Sequence, residues 1–128
     1  MAVRIVRLGS DRLENEGTRI GTVRRPPRGV PKAKIAADNW YDVWFPNLAP
    51  SDETLKLAHA AATPADWAAF FRKYREEMAT PEHRHAIELL AALSHRTDFS
   101  VGCYCEDESH CHRSVLKTLL ADSGAELA

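Results

Sequence analysis

The chain has 128 residues, 45% apolar and 27% charged, with 17 basic and 18 acidic side chains for a net charge of −1. That balance excludes a disordered tail, a collagen-like fibre and a coiled coil, and no apolar run approaches the roughly 18–20 residues a bilayer span needs. Three cysteines are too few, and odd in number, for a disulfide framework, and MAVRIVRLGSDRLENEG at the start is too charged for a secretory signal. The expectation is one cytoplasmic α/β domain over residues 1–128, with no membrane contact.

Val3–Leu8 reads as a short strand, apolar at positions 3, 5 and 6, and Thr18–Val23 as a second. Arg4, Arg7, Arg12 and Arg19 flank these strands, and the simplest expectation is that they meet water. RRPPRGVPKAK at 24–34 carries three prolines and Gly29, so it is a stiff loop and neither helix nor central strand. Trp40, Tyr41, Trp44 and Phe45 form an aromatic cluster expected to supply core and a lid. Ser51 can cap a helix reaching about Ala61. Thr63, Pro64 and Asp66 are a cap, a first helical residue and a first-turn acid. Trp67, Phe70, Phe71, Tyr74 and Met78 then recur on one helical face. Thr80-Pro81 opens another helix carrying Ile87, Leu90 and Leu93 inward. Phe99–Cys105 is an uncharged, buried strand. Asp107 or Ser109 can cap a last helix with Val115, Leu116, Leu119 and Leu120 inward, ended by Gly124. Strands separated by helices predict a small three-layer α/β domain with a short, mostly parallel sheet flanked by helices.

Chemistry concentrates in CYCEDESHCHR, residues 103–113, where the last strand turns into the last helix. In open parallel sheets, ligands bind at the carboxyl ends of the strands, and a helix N-terminus there favours anions and thiolates. Three readings of this turn compete. In the first, Arg113 binds an anion, Cys111 is a thiolate, His112 transfers protons and Glu106 orients a group or acts as base. Arg24 and Arg28 in the proline loop supply an opposite wall, and Tyr74 lies near the pocket edge. In the second, Cys105, Cys111 and His110 or His112 bind metal or act in redox chemistry; Cys103 and Cys105 share a strand face. In the third, the cysteines are small apolar residues of the core.

Several enzyme classes are set aside. Cys105 and Arg113 have seven residues between them and Cys111 lies two before Arg113, so neither forms a C-x5-R phosphate loop. No G-x-x-x-x-G-K-[ST], G-x-G-x-x-G or G-x-S-x-G sequence is present, and no cofactor is implied. Residues 1–37 hold nine Lys/Arg against three Asp/Glu, and the rest of the chain is acidic. That asymmetry suggests a local anion site and leaves a non-enzymatic nucleic-acid- or protein-binding domain as a further alternative.

PRGV at 27–30, Trp40, NLAPS at 47–51, Trp67 with Phe71, and KYREEM at 73–78 together resemble the YeaO-like branch of the family known as domain of unknown function 488. CYCEDESHCHRSVLKTLL at 103–120 resembles the wider family's C-terminal motif of Cys-x-Glu, Cys-His-Arg and Leu. The resemblance spans residues 19–120. It implies a small, mostly bacterial, intracellular α/β domain without an established activity, and adds weight to Arg24, Arg28, Tyr74, Cys105, Glu106, Cys111, His112 and Arg113. The chain departs from the branch before Pro-Arg-Gly, where Val23-Arg24-Arg25-Pro26 replaces an acidic and aromatic stretch.

Overall fold

The computed structural model describes all 128 residues. It contains strands β1 (Val3–Arg7), β2 (Thr18–Gly21), β3 (Val43–Trp44) and β4 (Phe99–Cys103), and helices α1 (Asp52–Ala60), α2 (Pro64–Met78), α3 (Pro81–Leu93) and α4 (His112–Asp122). Every strand pair is parallel, in the order β1-β4-β2-β3, so this is the expected small α/β domain, but with its helices in one layer rather than on both faces of the sheet. The last strand in sequence is thus central, with Val3 opposite Phe99 on one side and Thr18 opposite it on the other. All five β4 residues are buried, which explains why FSVGC holds no charge.

Alternation along the strands separates two faces. Val3, Phe99 and Val101 point into the main core, where Tyr74 and Met78 of α2, Ile87 and Leu90 of α3, and Val115, Leu116 and Leu120 of α4 pack on them. The helical expectations hold closely except at Leu93, expected inward but exposed on the last turn of α3. Ser51 caps α1 by accepting from Thr54 N, and Thr63 and Asp66 form a reciprocal capping box on α2.

The opposite face is closed by loops. Gly21 lies under the Tyr41 ring, where a Cβ would come within 2.5 Å of it. Arg19 corrects the expectation that the strand-flanking arginines meet water. It is fully buried beneath the 8–17 loop, donating from Nε and Nη2 to the Glu16 carboxylate and from Nη1 to the carbonyls of Ser10 and Asn39. Ser100 of β4 also donates to Glu16. A guanidinium with this many oriented acceptors ties the loop to the sheet in a way a single apolar contact cannot. Arg12 likewise makes a bidentate pair with Asp42, which accepts from Arg19 N as well.

Several boundaries move, with β1 ending at Arg7 and β2 at Gly21, short of the expected Leu8 and Val23. The final strand stops at Cys103, two residues before its expected end. Asp107 caps a single 3-10 turn, Glu108–His110, by accepting from Ser109 N, while α4 begins at His112 with Cys111 in the cap position. The aromatic cluster also contains β3, which pairs with β2. No helix is long and apolar enough to cross a membrane.

Candidate active site

Strand β4 delivers Cys103 on its helix-facing side, and the following turn returns the chain so that Cys111 caps α4 directly opposite. The two sulfurs and a ring nitrogen of His112 lie within 4.8 Å of one another. Cys105 joins them, its Sγ 3.6 Å from that of Cys103. Cys103 and Cys111 are buried, whereas Cys105 is partly exposed.

The thiols are unequal. Cys105 is held well below the ordinary thiol value, first by the Cys103 S–H directed at it, then by Cys111 and by the positive charge of Arg113. Cys103 is pushed up to about 11 because its proton is shared with Cys105. Cys111 is raised for the same reason, by both neighbours and by burial. These directions make Cys105 the thiol most readily ionised, with Cys103 and Cys111 as its donors.

His112 is buried, and burial lowers its ring to about 4, so it is neutral at physiological pH. Its Nε2 lies 2.8 Å from the Thr22 carbonyl. A carbonyl only accepts, so Nε2 carries the proton and Nδ1 presents a lone pair. That nitrogen faces the Cys111 sulfur at 3.8 Å. Tyr74 packs edge-on against the imidazole, with centroids 5.2 Å apart, and donates to the Leu48 carbonyl at 2.7 Å.

Arg113 is 4% exposed. Its Nη2 donates to the Cys105 carbonyl at 2.7 Å, which fastens the turn. Its Nε is buried without a partner, and no carboxylate lies within ion-pair distance of the guanidinium. A buried cation in this state needs nearby anions, and its charge acts on the Cys105 sulfur and on the exposed Asp107 carboxylate, which lies beyond ion-pair distance.

The sequence-derived residues separate into two groups. Cys105, Cys111, His112, Arg113 and Tyr74 come together, with Tyr74 fully buried behind the imidazole and not at a pocket edge. Glu106 is exposed beside them. Arg24 donates to the carbonyls of Pro50 and Ala49, so it pins its loop and does not form an open wall. Arg28 lines a cavity of about 530 Å³ at the carboxyl end of β1, together with Arg7, Ser10, Trp40 and Tyr104. Sequence reasoning passed over Arg7, Trp40 and Tyr104 because each belongs to a different segment. Their one shared signal is a position just past, or at the end of, a strand or loop that the parallel sheet gathers at one edge. Three of the nine basic residues in the first third are ion-paired, Arg12 with Asp42, Arg19 with Glu16 and Arg25 with Asp52.

A family model described as the active DUF488-N3 subclade, DUF488-N3a, matches residues 3–124. The chain belongs to the DUF488 family. The match covers both the β4–α4 turn and the loops around the cavity, so the DUF488 domain includes every group described above; it carries no detail of a YeaO-like branch. No curated protein and no solved structure matches the chain.

Proposed function

We propose that this DUF488 domain is a small thiol-dependent enzyme acting on an anionic, phosphate-containing or nucleic-acid-derived substrate, with Cys105 as its nucleophile. The observation that carries this reading is the buried Arg113, with no carboxylate in ion-pair distance, beside a partly exposed cysteine. A thiolate is the reactive form of cysteine, and a neighbouring fixed cation with S–H donors stabilises it at neutral pH. The first turn of α4 adds a positive dipole end on the same side. This assigns nucleophilic character to Cys105 and leaves Cys111 as a buried donor.

The other residues take supporting roles in this reading. Nδ1 of neutral His112 is placed to accept a hydrogen bond from the Cys111 thiol, and Tyr74 positions the ring. Glu106, exposed at the turn, is available as a base to a group on the substrate. Arg28 and Arg7 draw an anion to the strand ends. The word "active" in the description of the matching subclade agrees with retained chemistry.

The test is protection by an oxyanion. Orthovanadate or inorganic phosphate slows alkylation of Cys105 in the wild-type protein, and Arg28→Met weakens that protection. Alkylation of Cys105 that ignores both anions at every concentration refutes the anionic-substrate reading.

A further inference from the structure

The same turn has a second chemical capacity, independent of whether Cys105 attacks a substrate. Three sulfurs and one imidazole nitrogen converge from two ends of one loop. A tetrahedral zinc(II) ion has Zn–S bonds near 2.3 Å, which places neighbouring sulfurs about 3.8 Å apart. The Cys103 and Cys105 sulfurs are 3.6 Å apart, and Cys111 Sγ is 3.8 Å from His112 Nδ1. Cys103, Cys111 and His112 fall within 4.8 Å of one another, so these three close on an ion with shifts of about an ångström, while Cys105, outside that set but 3.6 Å from Cys103, must swing in as the fourth ligand.

The second observation concerns the imidazole. Metal-bound histidines usually donate their other ring N–H to a carbonyl or carboxylate, which fixes the tautomer and aims the free lone pair. Here the Thr22 carbonyl takes that role at 2.8 Å and leaves Nδ1 facing the sulfurs. The third is charge. Three thiolates and a zinc(II) ion leave one negative charge in a buried setting, and the guanidinium of Arg113 cancels it. A carboxylate partner for Arg113 would leave the loaded site negative; none is present.

We infer that Cys103, Cys105, Cys111 and Nδ1 of His112 form a zinc(II) site of the three-sulfur, one-nitrogen type, with Thr22 as the outer support and Arg113 as the counter-charge. Binding releases the thiol protons of Cys103 and Cys111 to solvent and engages the Cys105 sulfur. A loaded domain therefore holds Cys105 in a capped form, and removal of zinc exposes it. Soft, borderline ions suit this donor set, whereas magnesium and calcium do not.

The experiment uses the full chain, purified under reducing conditions, loaded with zinc and dialysed. The expected result is one zinc per chain by elemental analysis. Replacement by cobalt(II) gives the intense visible bands of a tetrahedral site with sulfur-to-cobalt charge transfer. Free zinc at 100 times the dissociation constant raises the folding equilibrium constant about 100-fold. Cys105→Ser, whose side chain is partly exposed and whose fold is checked by circular dichroism, loses the charge-transfer intensity of one sulfur. Cys111→Ser and His112→Gln lose the ion. His110→Ala, an exposed imidazole on the same turn, leaves metal content unchanged. No stoichiometric zinc after loading, or a weak octahedral cobalt spectrum, overturns the proposal; so does a Cys105→Ser spectrum identical to wild type. Alkylation of the metal-free protein reports on the nucleophile separately, so each proposal fails on its own measurement.

Discussion

Glu16→Gln tests how the loop face is held to the sheet. Burial alone would raise the Glu16 carboxyl, but hydrogen bonds from Arg19, Ser100 and the Leu13 N–H outweigh it and bring it down to about 2 from 4.5. Such a group stabilises the fold above its unfolded value, and that contribution is lost as pH falls from about 4.5 through about 2. At about 1.36 kcal/mol per pKa unit, and allowing for screening near the surface, it amounts to about 2–3 kcal/mol at pH 7. Glutamine mimics the protonated carboxyl and leaves Arg19 buried without its counter-charge. We expect Glu16→Gln to unfold at lower urea concentration at pH 7, with a deficit of about 2–3 kcal/mol that shrinks steadily between pH 4.5 and pH 2. Comparing variant with wild type at each pH removes contributions from other carboxylates. A deficit below about 0.5 kcal/mol at pH 7, or one that stays constant down to pH 2, refutes the reasoning.

Tyr74→Phe removes the hydroxyl that satisfies the buried Leu48 carbonyl and is expected to cost about 1–2 kcal/mol in urea denaturation, with no change in helix content. His112, lowered to about 4 by burial, is expected to show no ring titration by NMR between pH 8 and pH 5. Because the unfolded chain binds that proton near pH 6.5 and the folded chain refuses it, His112 should erode stability as pH falls from 6.5 toward 4. A ring that titrates near 6.5 in the folded protein contradicts its placement.

Much of this architecture is written locally. Thr63-Pro64 with Asp66, Ser51, and the Trp67–Met78 stripe declare their helices because caps and 3.6-residue periodicity act within a few positions. The turn at 103–113 was legible as a place of chemistry for the same reason: its reactive residues are neighbours in sequence. What remained hidden depends on contacts across the chain. Nothing near Arg19 announces that Ser10, Asn39 and Ser100 will complete its cage, so a strand-flanking arginine reads as solvated. Two-residue β3 has too few positions to show alternation. Inequality among the three thiols follows first from the Cys103 and Cys111 thiols directed at Cys105 and only then from the Arg113 charge, and neither is a property of spacing. The Thr22 carbonyl that fixes the His112 tautomer is a backbone group, invisible in any residue pattern.

The most direct test of the central claim is the pH dependence of cysteine alkylation in the metal-free wild-type protein, followed residue by residue with iodoacetamide and peptide mass spectrometry. The account predicts that Cys105 reacts first and that its rate is nearly flat from pH 6 to pH 8, with Cys103 and Cys111 reacting only on unfolding. A Cys105 rate that climbs tenfold per pH unit up to the ordinary thiol range near 8.5, or a first label on Cys111, would contradict it.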